Sequence, residues 1–478
     1  MILRQRGGAL ILFLMVFVLG ITALFLSGLN HSWLIHHDLS RTQQSLVRAK
    51  EALLGYAVGY YDRFPGEYGF LPCPDLGSGV EGIADLNCQT LDKSSLGKLP
   101  WRTLGIPALR DGSGECLWYA VAGPYKSVVD SEKSLLLNGD TLGLFSVQMA
   151  NGESVVETLI GNGVSDQAVA VIVAPGRILS GQIRAQSSPT CPGNYQVNQY
   201  LESDVVGFAQ LPNQMENFLT ILDLTAYLPE KTMPINDRVA YISQDELWNA
   251  IYRRTTFYQS MQCLTKLAAY CVSNYVRTNP LGAEDKRLPW AAPVDLNDYA
   301  SSSEYTDKAG LLLGRLPNQV DQSNASIGKT APEELLMDCD FSGIVMEEFG
   351  ECGGLPNGLS VAFSTLWRHW KDHLFYAVAK AHTPDSSVPT EDCESSHCLE
   401  LVTEGGVELC AAVVIFAGPV LTGFQSPRYG PPSAGTDTKG NIQNYLESPN
   451  FTNTAGYGQF LQYDQDQSIN DIIYCVKN

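Results

Sequence analysis

The sequence predicts an α+β protein. A long N-terminal helix, apolar in its first half and amphipathic in its second, packs on an antiparallel sheet domain, and a duplicated helix-plus-sheet domain follows. Three observations carry this. Gly8 to Leu29 holds no charged residue, and the first proline of the chain is Pro65. Short runs of β-branched and aromatic residues then follow, bounded by Gly and Pro. Five segments of the first half recur, in the same order, in the second.

The helix comes first. Its 22 apolar residues make a rod of roughly 33 Å, which matches a hydrocarbon core of about 30 Å. Arg4 and Arg6 precede it, a flank that stays cytoplasmic and sends the rest across a membrane. A cleaved secretory signal has a shorter core and a small-x-small site, whereas this run ends Leu26-Ser27-Gly28-Leu29. An uncut anchor fits the length. So does a short basic peptide, Arg4-Gln5-Arg6-Gly7-Gly8, cut after Gly7 or Gly8. Beyond Asn30 the pattern turns amphipathic: Leu39, Leu46, Ala49, Leu53, Tyr56, Ala57 and Tyr60 recur at helical steps up to Tyr61. Phe64-Pro65-Gly66 ends the helix.

The chain has 478 residues, 45% apolar and 17% charged, with a net charge of −20. The acidity excludes nucleic acid as a partner, which needs clustered Lys and Arg, and excludes anionic lipid beyond the anchor. Twelve cysteines all lie after the apolar helix, and no Cys-x-x-Cys pair occurs. That usage reads as disulfides in an oxidising compartment, not as a zinc ribbon or a redox motif.

Strands are expected at Cys116–Ala122, Leu144–Met149, Val155–Leu159 and, most clearly, Ala168–Ala174. Pro229–Pro234 reads as a linker, and Ser243-Gln244-Asp245-Glu246 as a capping box opening a helix to about Arg277. The repeats are direct. Leu53–Tyr61 matches Leu267–Tyr275, Leu96–Pro100 matches Leu313–Pro317, and Leu117–Ala122 matches Leu374–Ala379. Val171–Gly181 matches Val413–Gly423, and Tyr200–Ser203 recurs as Tyr445–Ser448. The expected layout is a leader at 1–7, an apolar helix at 8–29, a first domain at 30–228, a linker at 229–236 and a second domain at 237–478. Cys73, Cys88, Cys116 and Cys191 fall in the first copy and the other cysteines in the second, so each copy can close its own bridges. Cys263 and Cys271, about 12 Å apart along one helix, cannot pair with each other. Cys339 with Cys352 and Cys393 with Cys398 read as local loops.

The Gly-terminated basic leader, the apolar helix that turns amphipathic and the sheet domain together resemble the type IV pilin and pseudopilin superfamily. The segments ALLGYAVGYY, LPCPD, GKLPWRTLG and RDGSGECLWYAVAG are similar to those of large pilin-like proteins of Gram-negative bacteria. This resemblance covers about residues 1–180. It implies cleavage by a prepilin peptidase, a methylated new N-terminus and association with other pilin or pseudopilin subunits through the helix. It also implies inner-membrane placement as a single pass, with the N-terminus cytoplasmic and the bulk periplasmic or displayed at a filament tip. Major subunits of the family carry Glu at the fifth mature position. Here that position is Leu12, counting from Gly8, or Phe13, counting from Ala9. Within the family this loss marks the large tip pseudopilin of type II secretion, so the resemblance implies a minor, tip-type subunit.

Catalytic motifs are missing. His369 and His373 are spaced i, i+4, but the segment His-Trp-Lys-Asp-His has no zincin glutamate, and it reads as scaffold. No Gly-x-Ser-x-Gly elbow or phosphate loop occurs. Two acidic loops offer oxygen ligands for a structural calcium: Asp75, Glu81 and Asp85, and Asp464, Asp466 and Asp471. No other cofactor is expected. Trp101, Trp118, Trp290, Trp367 and Trp370 read as core before groove, and His36 and His37 as solvated. The expectation is a non-enzymatic subunit for assembly initiation or surface contact. The alternative is a periplasmic enzyme or carbohydrate-binding protein on an uncleaved anchor.

Overall fold

A computed structural model describes residues 8–88, 93–128, 136–151, 154–163, 166–184, 190–191, 193–202, 216–220, 235–278, 287–353, 358–388, 390, 397–430, 438–462 and 469–477. The fold is α+β with mainly antiparallel sheets. With no proline to interrupt it, helix α1 runs unbroken over Gly8–Val58 and ends in a 3-10 turn at Tyr60–Asp62. In its apolar half the side chains are described from Ile11 to Thr22. Among the described residues no helix is long and apolar enough to cross a membrane. The expected single-pass inner-membrane placement, cytoplasmic N-terminus and periplasmic bulk, is corrected on that finding.

The strands after α1 are β1 (Ser95–Lys98), β2 (Trp118–Val121), β3 (Phe145–Asn151), β4 (Ser154–Ile160), β5 (Ala168–Ala174), β6 (Glu216–Thr220) and β7 (Arg238–Ser243). Strands β1-β2-β5-β7 form an antiparallel row. Strand β3 lies between β4, antiparallel, and β6, parallel, and joins the row where Phe145 faces Ala168. β5 is buried at every position, as its unbroken apolar run requires. The expected linker ends at 236, with 229–234 outside the described residues, yet β7 beyond it pairs with β5. The first sheet therefore closes at Ser243, and the elements from Gln244 onward are described below as the second unit.

Ser243 caps α2 (Gln244–Tyr252), its side chain accepting from the Glu246 amide, as the capping box requires. The single helix expected up to Arg277 is two. The chain breaks at Arg253–Arg254 and resumes as α3 (Thr255–Thr278). Arg254 leaves the helix to donate to the Val58 carbonyl, at the C-terminus of α1, and to Asp62. Such bonds satisfy carbonyls that a helix end leaves open.

The second unit continues with β8 (Leu313–Arg315), α4 (Leu359–Trp370), β9 (Leu374–Val378), β10 (Leu399–Thr403), β11 (Gly406–Cys410), β12 (Ala412–Phe416), β13 (Gly458–Leu461) and β14 (Ile472–Val476). Apart from a parallel pair at Leu71–Pro72 and Lys126–Ser127 in the first unit and an antiparallel pair at Gln319–Val320 and Glu333–Glu334 in the second, its order follows that of the first unit. The row is β8-β9-β12-β14, and β10 lies between β11, antiparallel, and β13, parallel. The register corresponds too. Gly97 faces Tyr119, which faces Ile172; Gly314 faces Tyr376, which faces Val414. α1 packs on β5 and β7, and α3 packs on β12 and β14. Leu53 and Ala57 of α1 and Leu267 and Cys271 of α3 are all buried there.

The repeated Leu-Gly-(Lys/Arg)-Leu-Pro segment has a steric reason. On the open edge of β1 the Asp75 backbone exchanges hydrogen bonds with Lys98, and beside β8 Ala292 does the same with Arg315. A Cβ on Gly97 would stand 2.6 Å from the Asp75 carbonyl oxygen, and one on Gly314 2.1 Å from that of Ala292. Each glycine admits a crossing backbone. Gly97→Ala and Gly314→Ala should each cost about 1–3 kcal/mol in chemical denaturation, and unchanged midpoints would show that the edge has room to spare.

The disulfides are Cys73–Cys88, Cys116–Cys191, Cys263–Cys352, Cys271–Cys339 and Cys410–Cys475. The local Cys339–Cys352 loop is thus corrected. Cys263 and Cys271 share the buried face of α3, and each takes one of those two cysteines. Cys398 is disulfide-bonded, and Cys393 lies outside the described residues.

Candidate functional site

The outstanding surface is the start of α1. From Ile11 to Leu19 its apolar residues are exposed, Leu12 at 67% and Phe13 at 74%. Burying one such side chain is worth about 1.5–3 kcal/mol, so an uncovered run of this kind marks an association surface. Gly8 is exposed at the start of the helix; Gly7 lies outside the described residues.

The expected calcium loops bring no shared site together. Asp75 accepts from the Gly77 and Gly82 amides and from the Tyr195 hydroxyl. Asp85 accepts from the Leu76 amide and Ser78, and Glu81 from the Cys191 amide. These carboxylates are spent on holding the loop closed. Asp464 and Asp466 lie outside the described residues. Asp471 is fully buried beneath the second sheet, where its carboxylate accepts from Asn450, so it cannot serve an exposed calcium loop. His36 and His37 are exposed. Trp118, Trp290, Trp367 and Trp370 are core, and Trp101 is half-buried against Gly82.

His369 and His373 do not share a helix: α4 ends at Trp370, and His373 sits in the 3-10 turn Lys371–His373. They lie on a buried polar seam between the units. The Leu137 amide donates to His369 Nδ1 at 3.2 Å, and Asn138 Nδ2 donates to the His369 carbonyl and to Asp372 Oδ1, both at 2.8 Å. Lys439 Nζ stands 2.5 Å from Asp372 Oδ2 and 3.7 Å from Asp140 Oδ2. His373 Nδ1 is 3.1 Å from Asp372 Oδ1, and its Nε2 is 3.6 Å from Asp140 Oδ2. Tyr445 donates to Asp140 from 3.2 Å. Arg315 donates to the carbonyls of Val294, Asp372 and Lys439.

Ligand atoms of Asp140, Asp372 and His373 lie within 4.8 Å of one another, a metal-like grouping. The ammonium of Lys439, in contact with both carboxylates, already supplies the cation such a group would hold. Burial pushes the Asp140 and Asp372 carboxyls up, but His373 and Lys439 against them outweigh it and hold both below the ordinary 3.8. A cavity of about 420 Å³ reaches Asp140, Trp248, Tyr252 and Arg428, but neither Asp372 nor His373 lines it. The seam is an ionic weld between the units.

Sequence reasoning missed Asp140, Asn138 and Lys439, which belong to no repeated segment and sit in loops far apart in the chain. It also missed Ile235-Asn236-Asp237, which recurs as Ile469-Asn470-Asp471 and was there to be found as a sixth repeat. No family model, no curated protein and no solved structure matches this chain.

Proposed function

We propose that this chain is a non-enzymatic minor subunit of pilin or pseudopilin type that takes a place at or near the tip of a filament, for assembly initiation or surface contact. Its two units are read as a tandem duplication of one helix-plus-sheet domain, a reading supported by matching strand order, register and sequence segments. The observation that carries the function is the uncovered apolar start of α1. A helix exposing Leu12, Phe13 and Val16 beyond a folded body is stabilised by packing among similar helices of neighbouring subunits. A two-unit head is too bulky to stack along a thin filament, and Leu12 or Phe13 in place of an acid leaves no charge for a subunit above to neutralise.

The test uses the full chain co-expressed with the pilin-type subunits of its own source. Cross-linking through a cysteine at Val16 should capture a partner subunit, and adding Leu12→Asp with Phe13→Asp to that chain should abolish capture while leaving the thermal midpoint unchanged. Intact mass should show a trimmed, methylated N-terminus. A monomer that keeps Met1 and captures no subunit would end this reading.

A further inference from the structure

The two units share more than strands. In the first, Glu202 lies against Asp237 at the start of β7. The Glu202 amide donates to Asp237 Oδ2 and the Asn236 amide to Glu202 Oε2, both at 3.0 Å. Gln182 donates to Glu202 Oε1 and accepts from Arg184. In the second unit Glu447 lies against Asp471 at the start of β14. The Asn470 amide donates to Glu447 Oε2 at 3.2 Å, and Gln425 donates to Glu447 Oε1 and accepts from Arg428. The repeated residues are Asn-Asp before the last strand, Glu of Tyr-Leu-Glu-Ser, and one Gln with one Arg.

The arginines do not neutralise these acids by hydrogen bonding. Arg184 donates to the carbonyls of Gly176, Gln199 and Tyr200 and lies over the Tyr200 ring. Arg428 donates to those of Gly418 and Asn444 and lies over Tyr445. Asp237 and Asp471 are both 0% exposed, and Oδ1 of each is buried with no N–H or hydroxyl donor. A carboxyl stands next to each: the amide of the residue just before Asp237 holds Glu202 Oε2 at 3.0 Å, and that of the residue just before Asp471 holds Glu447 Oε2 at 3.2 Å, so a protonated neighbour can supply the missing donor. Two buried acids side by side avoid facing like charges when they hold one proton between them.

We infer that each pair, Glu202–Asp237 and Glu447–Asp471, shares one proton in the folded protein and forms an acid-closed latch on the last strand of its own sheet. Burial first, and then the partner carboxylate, raise Asp237 and Asp471 well above the ordinary 3.8, and burial raises Glu202 and Glu447 above 4.5. The other charged groups nearby are Glu115, paired with Arg184, Asp111, bonded to the Gly176 amide, and Arg238 beside Asp237. In the second unit the further group is Asp140, near Arg428. A folded pKa above the unfolded one gives stability that is complete below the unfolded value and lost as pH rises through the folded one. The latch is therefore closed in acid and strained in base, where two like charges face each other.

The experiment compares the full chain with the double variant Asp237→Asn/Asp471→Asn, in which an amide stands in for the protonated acid. From about pH 4 to about pH 8 the folding equilibrium constant of the unmodified chain should fall about 100-fold relative to the variant, tenfold per pair. At pH 7 the unmodified chain should show infrared absorption of protonated carboxyls that the variant lacks. If the asparagine variant does not fold, Glu202→Gln/Glu447→Gln replaces it, and the infrared band remains a readout on the unmodified chain. Parallel pH profiles, or no protonated carboxyl at pH 7, overturn the inference.

Discussion

Asp372→Ala should lower the stability of the folded chain by roughly 3–5 kcal/mol, the cost of leaving buried charge without its partner. Asp372 is 0% exposed and meets Lys439 at 2.5 Å, Asn138 at 2.8 Å and His373 at 3.1 Å. Removing it leaves the Lys439 ammonium, itself buried, facing Asp140 alone at 3.7 Å. Denaturant titration of the full chain reads the loss. Lys439→Met in the same background removes the stranded charge and should restore part of the stability, because an apolar replacement of both partners costs less than breaking the pair. Depressed carboxylates contribute stability that is present above their unfolded pKa and lost as pH falls below about 3.8. The variant should therefore lose stability less steeply in strong acid than the unmodified chain. A midpoint unchanged by Asp372→Ala would show that the seam does not join the units.

The pH behaviour of the seam and of the paired carboxyls runs in opposite senses, and the cause is local charge count. In the seam two acids face Lys439, His373 and Arg315. In each latch two acids face one arginine whose donors go elsewhere. Burial acts the same way in both places, so the surrounding cations decide whether a carboxyl is held ionised or held protonated.

Much of the scaffold was legible because its signals are local. Ala168–Ala174, read as a buried strand from seven apolar residues ending at Pro175-Gly176, is β5 with the same bounds. The Ser243 cap was visible in four residues, and three of the repeated segments fall on corresponding strands, a fourth on the helices α1 and α3. What escaped depends on contacts that chain order does not contain. The break between α2 and α3 is set by Arg254 reaching α1, 196 residues back to Val58. β7 belongs to the first sheet although it follows the segment read as a linker. The acids of the Cys73–Cys88 loop look like calcium ligands by composition, yet Asp75, Glu81 and Asp85 each point at backbone amides. Spacing fixes neither side-chain direction nor which donors fold back onto a carboxylate.

Opening the bridges that hold α3 should have the other large effect. Cys271→Ala with Cys339→Ala removes a link across 68 residues, and Cys263→Ala with Cys352→Ala one across 89. Each cross-link limits the unfolded chain, by about 4 kcal/mol for loops of this length. The alanine pair for Cys73–Cys88, which closes 15 residues, should cost about 3 kcal/mol. Guanidinium titration of the three double variants checks the order. Location should matter as much as length. Cys263 and Cys271 sit among Met261, Leu264, Leu267, Ala268 and Val272, all buried, on the face of α3 that covers β12 and β14. Losing either link frees the segment that carries Cys339 and Cys352 from that helix. Hydrogen exchange should then speed up in the second sheet and leave β1, β2 and β5 protected. Uniform acceleration through both sheets would mean that the units unfold as one, with the seam of Asn138 and Asp140 on Asp372 and Lys439, not the disulfides, setting their common stability.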